Sequence, residues 1–328
     1  MERGKTIENQ ELKKNFDEHF LKLMPSFYEM QSTFLSGIYK RYGDLEGGNI
    51  VIFFARDLHL EILRKREIDL DFDLSLEKFW INHKTIMQSK KRIIIIAKQT
   101  GLPKETTRRK IIYLIKKKHI KKSERNRLFW EPASDHKETY INIIDEQINS
   151  LSKFIFEQTK LLNINLSVSK IEKEIKKNYC FYWYNYLSVQ LEYIKFWHTK
   201  LKDLEMLLIV FQVIIQTINS IKKNSSSNLT GTLSAALIKN NINTTLADIS
   251  ATSISEITGI PRATCIRKLD KFVRMKVLQK NTSTKRYGLL ANNKSNQNSI
   301  VDSESLTEKI SLFSDFSSIV LKALNKNK

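Results

Sequence analysis

Two segments of the chain carry hydroxyl and guanidinium side chains at matching positions. Residues 100–110 read TGLPKETTRRK and residues 258–268 read TGIPRATCIRK, and they align without a gap. A hydroxyl group can hydrogen-bond a phosphate oxygen, and a guanidinium can form two parallel hydrogen bonds to a phosphate or to a guanine edge. The same binding chemistry is therefore predicted twice in one chain. The outward-facing side chains that are identical in both copies are Thr106 and Arg109 in the first and Thr264 and Arg267 in the second.

Each copy predicts a compact group of elements that would position these side chains. A glycine supplies the left-handed backbone of a tight turn between two helices, and a proline two residues later suits the start of the second helix. Basic residues with a polar turn follow, as in a β-hairpin. In the first copy we expect a supporting helix over 93–99, a second helix over 103–117, a strand from 120, a turn at 123–126 and a return strand at 128–130. In the second copy the hairpin turn is expected at 282–284. This order is the sequence form of a winged helix-turn-helix.

The positive charge of the chain is concentrated in these two segments. The formal net charge is +20. Residues 84–127 contain sixteen Lys and Arg against two Glu, and residues 252–288 contain nine against one Glu and one Asp. The two segments therefore account for the whole excess, as a surface that binds a polyanion requires. We expect double-stranded DNA as the partner.

The expected DNA contacts lie on the second helix and on the hairpin of each copy, because the first turns of such a helix enter the major groove. An arginine that forks onto guanine contributes about 1–3 kcal/mol of discrimination between bases. The expected contact residues are Lys104, Glu105, Thr106, Arg108, Arg109, Arg125 and Arg127 in the first copy, and Arg262, Ala263, Thr264, Arg267, Lys285 and Arg286 in the second.

The second copy, residues 258–269 with the hairpin end KRYGL at 285–289, resembles the DNA-binding segment of IclR-type bacterial transcription regulators. It is similar, more loosely, to the MarR-type group. The resemblance covers about 40 residues per copy and implies DNA binding and transcriptional control. Those families usually have glycine before the wing, where Lys118 and Lys276 stand here. No IclR-type ligand-binding domain is seen, so no particular effector is implied.

The fold class expected is mainly α, with tandem duplicated winged helix-turn-helix domains, small β-wings and additional long helices. The duplication continues upstream, where Asp44-Leu45-Glu46 matches 203–205 and Phe27-Tyr28 is matched with 181–182. We expect the two units to be related by pseudo-two-fold symmetry. The predicted units are 1–135, a first helical segment with a winged-helix unit; 136–177, a helical connector; 178–293, a second helical segment with a winged-helix unit; and 294–328, a linker and a C-terminal amphipathic helix.

Several helical features outside the repeated motif are also predicted. The apolar stretch 206–215 is too short to span a bilayer and indicates a buried core helix. Residues 222–228 are expected to form a loop, and the capping box at 305–308 to start a terminal helix that packs on its own domain or joins two chains. One apolar stripe at 181–197 indicates either a helix interface or a hydrophobic effector pocket. Its members are Phe181, Tyr184, Leu187, Leu191, Ile194 and Trp197.

No motif for catalysis or for cofactor binding is found. Phosphate-cradling glycine runs, zinc-ligand spacings and nucleophile motifs are missing from the sequence, so we expect neither an enzyme nor a cofactor. The alternating Asp69, Asp71 and Asp73 fit an edge strand or an acidic turn. Two distant cysteines suit a reducing compartment, and the N-terminal residues lack the apolar core of a signal peptide. We expect a soluble cytoplasmic protein that does not enter a membrane.

The function expected from these patterns is sequence-specific binding of double-stranded DNA for transcriptional regulation, with two winged-helix heads in one chain. A homodimer is a further expected assembly, and the question of a small-molecule effector stays open. The alternatives are a plasmid or chromosome replication initiator or nucleoid-associated protein, since these also use tandem winged helices, and a protein–protein scaffold. Iterated sites at an origin would favour the initiator, and salt-independent binding of a protein would favour the scaffold.

The two reading surfaces differ, because Glu105 and Arg108 are replaced by Ala263 and Ile266. The preferred DNA site should therefore be an imperfect palindrome, with half-sites about 34 Å apart or a multiple of that distance. Footprinting on selected DNA should show two protected half-sites of related but unequal sequence. Protection of one unsplit half-site would contradict this prediction.

Overall fold

The computed structural model describes residues 18–224, 248–290 and 304–326, together with residues 11, 12 and 14. The described residues are mainly helical, with two short hairpins, which confirms the mainly α class. The first part contains α1 (Phe20–Tyr42), α2 (Leu45–Ile68), α3 (Leu76–Asn82), α4 (Ile93–Thr100), α5 (Lys104–Lys116), β1 (Ile120–Lys122), β2 (Leu128–Trp130), α6 (Lys137–Leu161) and α7 (Val168–Lys177). The remainder contains α8 (Tyr179–Leu201), α9 (Leu204–Asn224), α10 (Ala251–Thr258), α11 (Arg262–Arg274), β3 (Leu278–Lys280), β4 (Tyr287–Leu289) and α12 (Glu304–Lys326).

The order of elements in the first half recurs in the second. Helices α1 and α8 both have 23 residues, and each is followed by a left-handed residue, Gly43 or Lys202. An aspartate then caps the next helix: Asp44 accepts a hydrogen bond from Gly47 N in α2, and Asp203 accepts one from Glu205 N in α9. Helices α4 and α10 have eight residues, and α5 and α11 have thirteen. The sequence duplication is therefore also a repeat of local structure.

One upstream match in the sequence is wrong. When α1 and α8 are aligned over their full length, Phe27 is equivalent to Tyr186 and not to Phe181. Aromatic residues recur so often in α8 that a match of two rings at a different offset arises by chance. The match of Asp44-Leu45-Glu46 with 203–205 agrees with the helix starts.

The two repeats exchange their packing partners. Helix α2 of the first repeat packs along α8 of the second, and α9 of the second packs along α1 of the first. The helix that follows each hairpin packs on the first helix of its own repeat: α6 packs on α1, and α12 packs on α8. Phe27 contacts Tyr193 and Phe313, with ring centroids 5.9 and 5.3 Å apart. Neither repeat therefore completes its core without the other.

Helix α9 is a long and strongly apolar helix. Residues 204–221 are long and apolar enough to cross a membrane, but 78% of this stretch is buried inside the protein. It packs against α1, α8 and α11, and its Gln212 Nε2 donates to Ser32 Oγ at 2.7 Å. The buried core helix predicted for 206–215 is confirmed, and the burial is consistent with a soluble protein.

The predicted stripe on α8 is wrong in part. Phe181 is exposed, whereas Tyr179, Trp183 and Tyr193 are fully buried outside the predicted stripe. The reason is that α2, α9 and α12 surround α8, so apolar residues are needed on more than one side. Tertiary packing has overridden the single-stripe period here.

The end of α9, the turn after α2 and the start of α12 bear on three smaller predictions. Residues 222–224 belong to α9 and not to a loop, whereas 225–228 lie outside the described residues. Of the two alternatives for the aspartates, the acidic turn is confirmed, because Asp69 and Asp73 accept hydrogen bonds from Asp71 N and Ser75 N. Helix α12 begins at Glu304 and packs on α7 and α8 of its own chain.

A buried histidine makes the core sensitive to acid. His59 is completely buried and stacks on Phe79 with ring centroids 4.9 Å apart. Neither ring nitrogen has a hydrogen-bond partner among the described residues. Burial, helped by the nearby His83, lowers the pKa of His59 from 6.5 to about 3.

We expect the free energy of unfolding to fall as the pH falls from 6.5 toward 3. In this window the unfolded histidine binds a proton and the buried ring does not, so each pH unit costs up to about 1.4 kcal/mol per histidine. His59→Leu should flatten the dependence, though not abolish it, because burial also lowers the pKa of His83 and His119.

Urea unfolding between pH 7 and 4 measures this slope. Ile62→Val is the control, since it changes a buried apolar side chain of α2, leaves every histidine in place and should keep the wild-type slope. Equal slopes for His59→Leu and wild type would contradict the assignment.

Candidate nucleic-acid interface

The first helix pair is joined by the predicted turn. Gly101 ends α4 in the left-handed region at φ 73°, and Pro103 immediately precedes α5, one position earlier than expected. Leu102 is buried beneath the turn, and Thr107 Oγ1 donates to Pro103 O at 3.0 Å. Asn49 Nδ2 of α2 donates to Thr100 O at 3.2 Å and fixes the turn to the core. Gly259 occupies the same position in the second half, at φ 76°.

Both predicted hairpins are present, and each gains a third backbone segment. Ile120 pairs with Trp130 in the first, and Leu278 with Leu289 in the second. Lys91 also pairs with Leu128, and Ile249 with Tyr287, just before the supporting helices α4 and α10. These single bridges were missed because one paired residue leaves no alternating pattern in the sequence. Each hairpin is thereby tied to the start of its own helix pair.

The lysines that replace glycine before the hairpins keep the glycine conformation. Lys118 and Lys276 both have φ 56°, in the left-handed region. That conformation costs a non-glycine residue about 1–2 kcal/mol. Both helix pairs therefore make the same left-handed turn from helix to strand with a lysine at this position.

A lysine anchors the second helix of each pair to the scaffold. Lys110 Nζ of α5 lies 2.8 Å from Asp44 and 3.3 Å from Glu46, at the start of α2. Burial alone would lower the pKa of Lys110, but the hydrogen bond and the charge of Asp44, with those of Glu46, raise it. Lys268 of α11 bonds Asp203 and lies 3.0 Å from Glu205 at the start of α9.

These anchors occupy equivalent positions in the two repeats. The sequence carried the signal, since both lysines belong to the repeated motif and both acidic pairs belong to its upstream extension. The contact itself could not be predicted, because nothing in the sequence places these lysines beside these acidic residues.

The turn within each helix pair also lies against a helix of the other repeat. A Cβ atom at Gly101 would lie 3.1 Å from Lys195 Cγ of α8, and one at Gly259 would lie 3.8 Å from Tyr39 Cδ1 of α1. His198 Nε2 of α8 is 4.0 Å from a Glu46 oxygen. Burial and the charge of Glu205 raise the pKa of Tyr39, the residue equivalent to His198. Both helix pairs are thus held by the shared helices.

The structure places the predicted contact residues on the surface of α5, α11 and the hairpins. Three of them are only partly accessible: Thr106, Arg127 and Thr264. The exposed ones are Lys104, Glu105, Arg108, Arg109, Arg125, Arg262, Ala263, Arg267, Lys285 and Arg286.

Some of these side chains already have partners. Arg108 forms two hydrogen bonds with Glu105, at 2.9 and 2.7 Å, and the hydrogen bond from Arg108 lowers the pKa of that fully exposed carboxyl. Arg262 Nε donates to Thr252 Oγ1, and Arg286 Nη1 donates to Asp248 O. In the described part of the chain, Arg109 and Arg267 form no ion pair, so their guanidinium groups are available to a ligand.

Additional exposed cations that we did not predict as contacts surround the first helix pair. They lie just before α4 and within it, at the end of α5 and on β1, so the basic run of the sequence extends on both sides of the motif. These residues are Lys90, Arg92, Lys98, Lys116, Lys117 and Lys122. The first half therefore presents the broader positive surface.

Comparisons with protein-family models, with curated proteins and with solved structures gave no significant match. The resemblance to IclR-type and MarR-type regulators rests on the motif residues alone and stays a prediction. Among the described residues, no group of three or more His, Cys, Asp or Glu side chains is arranged to hold a metal ion.

Removing the second anchor should destabilise the protein. The side chain of Lys268 is only 9% exposed, so Lys268→Met leaves two neighbouring carboxylates without their cation. We expect a loss of about 2 kcal/mol in the free energy of unfolding, less than for a fully buried pair because the carboxylates are partly solvated.

Urea unfolding measures this loss. Lys280→Met is the control, since it removes an exposed lysine that pairs with Asp270 on the same hairpin unit and should cost under about 1 kcal/mol. Equal costs for the two variants would show that Lys268 is not an anchor.

Proposed function

We propose that the protein is a sequence-specific double-stranded DNA-binding transcriptional regulator with two winged helix-turn-helix heads, residues 91–130 and 249–289. The observation that carries the proposal is the pair Arg109 and Arg267. These arginines occupy equivalent positions on equivalent exposed helix faces, and within the described chain neither has an ionic partner. Each lies next to the lysine that anchors its helix.

The geometry of each unit suits a DNA groove. The first turns of α5 and α11 are exposed, and a basic hairpin follows each helix. Such helices present their N-terminal side chains to base edges, and flanking cations contact phosphates. Of the sixteen and nine cationic residues of the two segments, those that are not held in ion pairs would supply the electrostatic attraction.

A shared core supports the use of both heads by one chain. Because each turn contacts a helix of the other repeat, the two heads are attached to one scaffold. A single chain would then present the pair of heads that a regulator usually obtains by dimerising, and a homodimer would present four. Operator DNA as the partner also favours a cytoplasmic location.

We expect the two heads to read different bases, because the side chains on their exposed faces differ. Glu105 and Arg108 neutralise each other on α5, whereas Ala263 leaves that part of α11 uncharged. The first head therefore offers Arg109 beside an ion pair, and the second offers Arg267 beside small and apolar residues.

A protein–protein scaffold is the second candidate, and one observation favours it. The first helix pair exposes apolar side chains that a DNA-binding surface does not need. Ile94, Ile95, Ile112 and Tyr113 are 56%, 42%, 54% and 39% exposed. Exposed apolar residues at this density are typical of surfaces that bind protein.

The Arg109→Ala/Arg267→Ala variant tests the DNA proposal. Binding to a site selected from random DNA should lose about 100-fold in preference over unrelated DNA, because two arginine–base contacts are removed. Fluorescence anisotropy at several salt concentrations gives both affinities, and the wild-type affinity should fall steeply with salt.

The control is Arg64→Ala/Lys153→Ala, which removes the same charge from exposed positions on α2 and α6. It should keep the sequence preference of the wild type. The same loss in both double variants would mean that charge alone matters, and salt-independent capture of a protein would favour the scaffold.

A further inference from the structure

The outer face of α4 in the first repeat is both apolar and basic. Ile94, Ile95 and Lys98 lie on one side of this helix, because residues three and four positions apart are neighbours on a helix surface. Arg92 immediately precedes the helix, and all four side chains are exposed. Neither cation forms an ion pair within the described chain. We call these four residues the basic face.

The second repeat shows that a helix pair of this kind does not need a basic face. The equivalent positions at and before α10 hold Ser250, Thr252, Ser253 and Glu256. Each isoleucine is thus replaced by a hydroxyl side chain, and the lysine is replaced by a carboxylate. The inward side is retained, since buried Ile96 corresponds to buried Ile254. The fold therefore requires the inward residues but not the apolar and basic character of the outer face.

The turn between α2 and α3 has the complementary character. Residues 67–73 read EIDLDFD, with four acidic side chains and no cation, and we call them the acidic loop. Between the acids, Ile68 and Leu70 are 84% and 72% exposed. None of the four acids forms an ion pair within the described chain. The end of α2 carries cations, but Arg64 pairs with Glu61 at 3.1 Å, so they do not neutralise the loop.

Hydrogen bonds hold the acidic loop in one conformation. Phe72 N donates to Asp69 O at 3.0 Å, and Arg66 Nη1 of α2 donates to Phe72 O at 2.9 Å. From the other side, Asn82 Nδ2 of α3 donates to Asp73 O at 2.9 Å. The two exposed apolar side chains therefore extend from a fixed turn. Docking of such a turn loses little conformational entropy.

The complementary surfaces of one chain identify the partner as another copy of the same chain. Two basic faces repel each other, and so do two acidic loops, whereas a basic face and an acidic loop attract. In a single copy both surfaces are exposed, so the chain does not cover them itself. We propose that the acidic loop of one copy docks on the basic face of the next. Ile68 and Leu70 pack against the two isoleucines of α4, and the carboxylates of the loop meet its two cations.

This contact joins different surfaces of the two copies, so it does not close in a dimer. Each added copy leaves one loop and one face free, and short chains or rings result. Both surfaces are small, so the contact is weak in solution, with a Kd on the order of 100 µM. On DNA with two adjacent sites it would hold neighbouring copies together. That role rests on the proposed DNA binding, whereas the self-association does not.

Sedimentation velocity of the full chain tests the self-association without DNA. We expect the sedimentation coefficient to rise with protein concentration. The rise should weaken several-fold between about 0.05 and about 0.5 M salt, because the paired charges are then screened. No rise up to about five times the expected Kd would overturn the proposal, and so would a rise that salt does not weaken.

Two variants distinguish this contact from any other. Ile94→Thr/Ile95→Ser/Lys98→Glu gives α4 the residues that α10 carries at the same positions, so the helix should still form. Ile68→Lys/Leu70→Lys removes the acidic loop as a partner and keeps the basic face. Each variant alone should be monomeric. Mixed in equal amounts, they should form a dimer and nothing larger, because one intact loop and one intact face remain. Self-association of either variant alone, or no dimer on mixing, would overturn the contact.

The matched control is Ile257→Ser/Met275→Ser, which removes exposed apolar side chains from the second helix pair. It should self-associate like the wild type. An equal loss in this control would show that exposed apolar surface in general, and not the basic face, causes the association.

A DNA measurement separates this contact from the proposed function. On DNA with two adjacent selected sites, the wild type should bind the second site about 5-fold or more tightly once the first is filled. The variant with the α10 residues on α4 should bind the two sites independently. Independent binding by the wild type would overturn the role on DNA. A protein that binds no DNA would overturn the proposed function and leave the sedimentation test of the contact valid.

Discussion

Taking a lysine side chain out of water costs free energy that neighbouring carboxylates can offset, and this constraint fixes both helix pairs to the protein. Lys110 of α5 forms ion pairs with Asp44 and Glu46 at the start of α2. Lys268 of α11 forms the equivalent pairs with Asp203 and Glu205 at the start of α9. The same aspartates cap those helices. One acidic turn therefore does two things: it begins a core helix and it sets the position of an exposed helix. Because the arginine next to each lysine faces outward, the anchor also aims the residue that we propose reads DNA.

The local elements of each helix pair could be predicted from the sequence. Gly101 and Gly259, the prolines that follow them and the polar hairpin turns each carry a strong local preference, and the structure has the turn, helix and strands at those residues. The long helices were predicted less well. In α8 the rings of Tyr179 and Trp183 are buried because neighbours come from several sides, and a sequence pattern read for one face cannot show how many faces are covered.

The parts of the candidate site that the sequence did not reveal depend on long-range contacts. The anchors join residues more than sixty positions apart, and the contact of Gly101 with Lys195 joins the two repeats. The Arg108–Glu105 pair lies within one helix turn and could have been foreseen from its spacing of three. The side chains of Arg108 and Glu105 hydrogen-bond each other, so the prediction that both are free to contact DNA was too simple.

The exchange of helices between the repeats has a consequence for how the protein would work at cellular concentrations. A regulator assembled from two separate chains loses its partner on dilution, so its occupancy on DNA depends on the square of its concentration. If the chain binds DNA as we propose, the covalent link and the shared core remove that step, and the second head would engage at an effective concentration set by the scaffold. Binding should respond in direct proportion to copy number, even when only a few molecules are present. Fusion also frees each half to mutate alone, which a protein made of identical subunits cannot do.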